Sequence, residues 1–369
     1  MKFLSLTFFI ASAHTCSGAI ATPGIELSSW MKQIPDNMLV SRIPILPGTH
    51  NSGTASSRGC SPFFCFARQQ KLSIADQLKA GVRILDFRIR FDSQQGGIRG
   101  LFGRNHLDEC PAILRIVHTF DTSYTLQQSL SEVKEFLDQN KGDKQEFVVI
   151  LLRGDWPPTT SFSDDNCKEG RVAFLASLLK SSGIEFAGNI DKDITTVGDL
   201  RGKAVIVSQW FHEGVSSMET VPYVKWEDHY QVCDIWNDPS TEIATLKIDR
   251  FMQSTPVRNV GHQLSLIEEQ QGIKEGSRPQ ICWHVPGTKT FTGVALDRTH
   301  GILPPGLTST RWNKWFLENL ETNKLWRPQL HPPVPVGVVL LDFADSETVG
   351  RLVKVGLKIT RELALAEQP

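Results

Sequence analysis

The chain has 369 residues, in which 39 Lys plus Arg nearly cancel 40 Asp plus Glu, for a net charge of −1 with histidine neutral. No global field favours a polyanion, so nucleic acid is not implied as a partner, and any anion must be met by local clusters. Hydrophobic residues at 40 % and charged residues at 21 % fit a globular chain.

The chain opens as a secretory signal reads. Lys2 supplies the charged start, Phe3 to Ala13 the apolar stretch, and Ser17-Gly18-Ala19 or Ala19-Ile20-Ala21 a small-residue cleavage site. The alternative is a buried first helix. We therefore expect residues 1–19 to be a signal, residues 20–369 to form one domain, and the protein to be extracellular. Cys16 would leave with the signal. Cys60, Cys65, Cys110, Cys167, Cys233 and Cys282 remain, an even set that suggests disulfides in an oxidising compartment. Cys60 and Cys65 are near enough to staple one loop; the other pairings stay open. Short Cys/His pairs at zinc-ligand spacing are missing, as is a second apolar run long enough to span a bilayer.

From there apolar β-rich runs alternate with helical patterns. Strands are expected at Arg42 to Leu46, Arg83 to Ile89, Ile113 to His118, Phe147 to Leu152, Ala204 to Ser208, Ile281 to Val285 and Val336 to Leu341. The clearest helix puts Leu126, Leu130, Val133 and Leu137 on one face, with Glu132, Lys134 and Asp138 outside. Others are expected at Ile74 to Ala80, Val172 to Lys180, Glu242 to Met252, Arg311 to Glu321 and Glu347 to Ile359. Such alternation favours a parallel sheet, and the unbroken apolar run Val336 to Leu341 suits a strand covered on both faces. With one more strand near Tyr223 to Val232, the set approaches a single-domain (β/α)8 barrel. A doubly wound open sheet is the competing fold, although the dinucleotide-binding glycine fingerprint is missing.

Chemistry-bearing residues gather at the expected strand ends, where such a barrel places its active site. His50 sits in the turn Leu46-Pro47-Gly48-Thr49-His50-Asn51-Ser52-Gly53. Asp86 and Arg88 share one face of their strand, His118 ends the next, and Arg153 and Asp342 follow two later ones. Two imidazoles in opposite protonation states can accept and donate a proton near neutrality. A fixed guanidinium can meet two phosphoryl oxygens with its planar fork. A structural Asp86–Arg88 ion pair is the competing reading of that strand.

The segments Trp30-Met31-Lys32-Gln33-Ile34-Pro35-Asp36, Ile45 to Gly53, and Gly81-Val82-Arg83-Ile84-Leu85-Asp86-Phe87-Arg88 closely resemble the bacterial phosphatidylinositol-specific phospholipase C (X-domain) family. Shorter likenesses follow at His118, Phe147 to Arg153, Arg201-Gly202-Lys203, Asp228-His229-Tyr230 and Asp342. The resemblance implies a distorted TIM-type barrel that cleaves inositol phospholipids to diacylglycerol and a cyclic inositol phosphate. It casts His50 as general base, His118 as general acid, Asp342 as the carboxylate orienting the base, Arg88 as the phosphate's cation and Asp86 as its acidic partner. Asn51, Arg153, Asp228 and Tyr230 fall where the family contacts substrate; Gln209 stands where its pattern is basic. Arg88 and Arg153 replace acidic positions of the calcium-dependent relatives, which implies a metal-free site with no cofactor. The expected partners are a phospholipid membrane surface and an inositol phospholipid, met by a monomer. Phe63, Phe64 and Phe66 form either an interfacial aromatic tip or a small core lid. Two further readings remain: another secreted phospholipid phosphodiesterase, and a catalytically weakened lipid-binding module.

Overall fold

Parallel strands carry the site. The computed structural model describes residues 25–56, 69–92, 113–118, 120–140, 142, 145–154, 168–188, 190, 194–208, 224–225, 282–285, 313–314, 316–318, 320–322 and 337–366. For some of these, His118 and Arg153 included, only the backbone is described. The strands are β1 (Ile45–Thr49), β2 (Ile84–Asp92), β3 (Ile113–His118), β4 (Phe120–Thr125), β5 (Val148–Gly154), β6 (Ala204–Ser208), β7 (Val224–Lys225), β8 (Cys282–Val285) and β9 (Gly337–Leu341). Helices α1 (Ile74–Lys79), α2 (Leu126–Gln139), α3 (Lys168–Ser181), α4 (Val197–Leu200) and α5 (Ser346–Ala366) lie between and after them. The sheet runs β7-β6-β5-β2-β1-β9-β8, all neighbours parallel, while β3 and β4 form an antiparallel hairpin off β2. Among the described residues the two ends of this path do not join.

Helix α1 shows why the chain turns where it does. Ser73 caps its start by accepting from Asp76 N, and Gly81 at φ 104° ends it. Gly81 N donates to Leu78 O and Val82 N to Gln77 O, closing two carbonyls of the last turn. The next residues enter β2. Helix α2 begins directly after β4, with Thr125 and Gln128 capping each other reciprocally. Its buried Leu126, Leu130, Val133 and Leu137 are the stripe expected from sequence.

Two expected strand boundaries differ most, and helices α3 and α5 run beyond the expected Val172 to Lys180 and Glu347 to Ile359. The first strand was expected at Arg42 to Leu46, but Val40–Arg42 forms a 3-10 turn and β1 starts at Ile45, past Pro44. It also continues through Pro47. Pro47 O accepts from Arg83 N, so the N–H that proline lacks would face β2 as well. The β1–β2 pairing begins only at Gly48↔Ile84, so no ladder bond is lost there. The second strand runs three residues beyond the expected Ile89, because β3 pairs with Ile89 to Asp92 after β5 has ended opposite Ile89. Strand β4 was not expected at all. The strand sought near Tyr223 to Val232 is the short β7.

The closed ends of β2 and β5 hold a buried ion pair. Arg83 and Glu146 are both fully buried, with Arg83 Nε donating to Glu146 Oε2 at 2.6 Å. The guanidinium also serves the carbonyls of Leu78, Val82, Leu27 and Ser28, and Glu146 Oε1 accepts from Met31 N. Burial pushes the Glu146 carboxyl up and the Arg83 guanidinium down, against the attraction between them. Trp30 Nε1 donates to Gly81 O beside this pair. The N-terminal block Trp30 to Asp36 is thereby anchored under the sheet, with Arg201 joining it to Asp36 and to the carbonyls of Met31, Ile34 and Gln145.

Candidate active site

His50 and Asp342 become neighbours because their strands do. Strands β1 and β9 pair in register up to Thr49↔Leu341, and His50 N then donates to Leu341 O at 3.1 Å. The next residue on each chain is the candidate base and its carboxylate. His50 Nδ1 lies 2.9 Å from Asp342 Oδ1. Gly48 lets β1 sit this deep: a Cβ there would come within 2.5 Å of Leu340 Cδ2 and 2.8 Å of Ile84 Cβ.

The ring's protonation follows from its partners. Arg88 NH2 lies 2.9 Å from His50 Nε2. Arginine has no acceptor and keeps its proton, so it must donate, and Nε2 must hold a lone pair. The imidazole proton therefore sits on Nδ1 and is donated to Asp342. This is the tautomer a general base needs, with its basic nitrogen turned to the cation rather than to the carboxylate.

Asp86 completes the group from β2. Its Oδ2 is 3.8 Å from His50 Nε2 and accepts from Asn51 N at 3.0 Å, while its own N–H is held by Ser52 Oγ. Both Asp86 and Arg88 thus reach His50. The cluster is dry: His50 is 6 % exposed, Asp86 0 %, Arg88 8 % and Asp342 2 %. In such a setting each charge acts with less screening than in water.

Asn51 adopts φ 48°, a left-handed conformation that asparagine tolerates better than most residues. Its amide nitrogen is 3.1 Å from Nε2 and 3.3 Å from Nδ1 of His50. Near-equal distances to nitrogens that flank Cε1 put the amide over the ring face, not on a lone pair. Asn51 Oδ1 is buried with no hydrogen-bond partner among the described residues.

The turn itself is braced by groups that sequence patterning does not reveal. Thr49 Oγ1 donates to Gln77 Oε1 at 2.6 Å, Gln77 Nε2 donates to Ser52 O, and Ser52 Oγ lies 2.7 Å from Thr49 Oγ1. Thr54 Oγ1 donates to Asn51 O. These are single polar residues in a loop and a helix, and no periodic pattern marks them.

The other expected site residues are placed less fully. Arg153 is the Cα partner of Arg88 across the β2–β5 ladder. His118 closes β3 opposite Phe120, on a strand joined to β2 at Ile89↔Ile116. Their side chains lie outside the description. So do Asp228, Tyr230 and Gln209, Phe63, Phe64 and Phe66, the pairing expected for Cys60 and Cys65, the helix expected at Glu242 to Met252, and the signal expected at residues 1–19. Among the described residues no group of three or more His, Cys, Asp or Glu side chains is arranged to hold a metal ion.

No protein-family model matches the chain. Among solved structures it is similar to the phosphatidylinositol-specific phospholipase C of Listeria monocytogenes, with a TM-score of 0.53 and 16 % identity over 90 % of this chain and 99 % of that one. It is also similar to the phosphatidylinositol-specific phospholipase C of Staphylococcus aureus, whose membrane binding has been modulated, with a TM-score of 0.56 and 12 % identity over 89 % of this chain and 97 % of that one. At these identities what is shared is the fold, and the chain is a single-domain, distorted α/β barrel of TIM type.

Proposed function

We propose that the protein cleaves inositol phospholipids by intramolecular phosphoryl transfer. The observation that carries this reading is His50 held between two opposite charges, with Asp342 on Nδ1 and Arg88 on Nε2. An inositol hydroxyl next to the phosphodiester would give its proton to His50 Nε2 as its oxygen attacks phosphorus. The bond to the diacylglycerol oxygen breaks, His118 protonates that oxygen, and a cyclic inositol phosphate is left. The attacking group is tethered to its target, so little entropy is lost on the way to reaction. Asp342 stabilises the imidazolium that forms.

Arg88 has two employments in this scheme. In the free protein it donates to the base; on binding, a phosphate competes for the same guanidinium. Arrival of the anion would free the Nε2 lone pair at the moment it is required. Arg88 then meets the charge that builds on the phosphoryl oxygens. Asn51 Oδ1, a buried acceptor, suits a substrate hydroxyl. Asp228 and Tyr230 are the proposed contacts to the inositol ring, and Arg153 the second cation.

The deciding experiment incubates the protein with phosphatidylinositol, phosphatidylcholine and sphingomyelin vesicles and identifies the water-soluble product. Cyclic inositol phosphate is expected; phosphocholine would replace this reading with another phosphodiesterase, and no product would leave a lipid-binding module. With a guanidinium already beside the base, activity is expected to survive a strong chelator and to gain little from calcium. Loss with chelator and rescue by calcium would overturn the metal-free mechanism.

We further propose that the protein is secreted and works at a membrane surface, with Phe63, Phe64 and Phe66 entering the interface. Changing all three to Ser should weaken action on vesicles and spare a soluble monomeric substrate, because interface binding draws on apolar burial at about 25 cal/mol per Å². Equal loss on both substrates would assign them to the core.

A further inference from the structure

Beyond Thr49↔Leu341 the ladder between β1 and β9 ends, with one last bond from His50 N to Leu341 O. Past that point the backbones of His50 and Asp342 need another tie to stay side by side. One side chain supplies it. Gln70 is fully buried, and its Nε2 donates to the carbonyl oxygens of His50 and Leu341, each at 2.8 Å. Its Oε1 accepts from Ala344 N at 3.2 Å. Both amide protons and the amide oxygen are therefore spent on backbone groups that flank the His50–Asp342 contact.

Gln70 is itself fixed to both chains it joins. Thr54 Oγ1 accepts from Gln69 N at 3.0 Å and Gln70 N at 3.1 Å. Phe343 N donates to Gln69 O at 2.6 Å, with Phe343 held at φ 49°. On the far side Asn313 Nδ2 donates to Asp342 O at 3.0 Å. A carboxylate at position 70 would turn like partial charges on two carbonyls, and an apolar side chain would take a donor from His50 O and from Leu341 O, which keeps His50 N, and the acceptor from Ala344 N. A carboxamide is the side chain whose donor and acceptor count fits this place.

We propose that Gln70 is the positioning residue of the His50–Asp342 couple: its carboxamide spans the ends of β1 and β9 and sets the Nδ1 to Oδ1 contact. The inference rests on the reading of His50 as general base. Displacing a base by a fraction of an ångström to one ångström costs up to about 100-fold in rate.

Gln70→Met is the test, read by turnover on a soluble substrate and by the downfield proton resonance of His50 Nδ1–H in the full chain without substrate. That resonance is assigned by its loss in His50→Ala. The expected result is a kcat lower by about 10- to 100-fold, a KM within about twofold of the parent, and a lost or broadened resonance in a chain that still unfolds cooperatively. A folded variant with parental kcat and resonance overturns the proposal, as does a fall in kcat with the resonance intact. Should Gln70→Met not fold, Gln70→Asn decides on the same readings, since it keeps a carboxamide but draws its donors and acceptor one methylene back from the ends of β1 and β9. The resonance needs no substrate. If the parent cleaves no phospholipid, the functional reading fails while the comparison of spectra still judges Gln70.

Discussion

Alanine at His50 is expected to lower turnover by about 1000-fold, the middle of the range for a lost general base. The geometry supports a large effect, because Nε2 carries the lone pair and both charged neighbours are arranged around that ring. Removal takes away the proposed base and keeps Arg88 for the phosphate, so KM should change far less than kcat. Asp342→Asn should also fall steeply. An amide can turn its NH2 toward Nδ1 and favour the wrong tautomer, with the proton on Nε2 beside Arg88. The check is a pH profile of kcat on a soluble substrate for parent and variants. The parent should show an acid limb as the base takes up a proton, and His50→Ala should lack that limb. Retention of parental turnover by His50→Ala would end the assignment.

Glu146→Leu is expected to cost about 3 to 5 kcal/mol of stability, the usual penalty for breaking a buried pair on one side. Arg83 would keep its charge with the Phe136 ring at 4.8 Å and the Trp30 ring at 5.9 Å, and Met31 N would lose its acceptor. Replacing both members by apolar residues often restores stability elsewhere. Here it should not, because Arg83 also serves four backbone carbonyls, of which Leu78 O keeps Gly81 N, and each of the others left unmet costs about 1 to 3 kcal/mol. Urea unfolding of Glu146→Leu and of Arg83→Met with Glu146→Leu would measure this. A single variant within 1 kcal/mol of the parent would show that the pair bears no net load.

What was legible in sequence was whatever repeats with a period or ends in a turn. Leu126, Leu130, Val133 and Leu137 announced α2, and the unbroken run at Val336 to Leu341 announced a strand covered on both faces. His50, Asp86, Arg88 and Asp342 were legible because each stands where an apolar run stops or alternates, and the structure brings all four within one dry cluster. Strand β4 was hidden: Phe120 to Thr125 is polar, and its pairing with β3 depends on tertiary partners rather than on its own composition. Proline misled at position 47, since its cost depends on which neighbour the missing N–H would face. Gln70, Gln77 and Glu146 were invisible for another reason. A lone amide or carboxylate in a sequence reads as solvated surface, and its value appears only once distant backbone groups converge on it.

The pairing of β1 with β9 also bears on how the protein comes to life during synthesis. His50 and Asp342 are 292 positions apart, an interval that takes a ribosome roughly 15 to 60 s to translate at 5–20 residues per second. Through that interval β1 can find β2 once residue 92 is made, while its other edge waits for β9. The nascent chain therefore carries the proposed base without its carboxylate until β9, the last strand among the described residues, has been made.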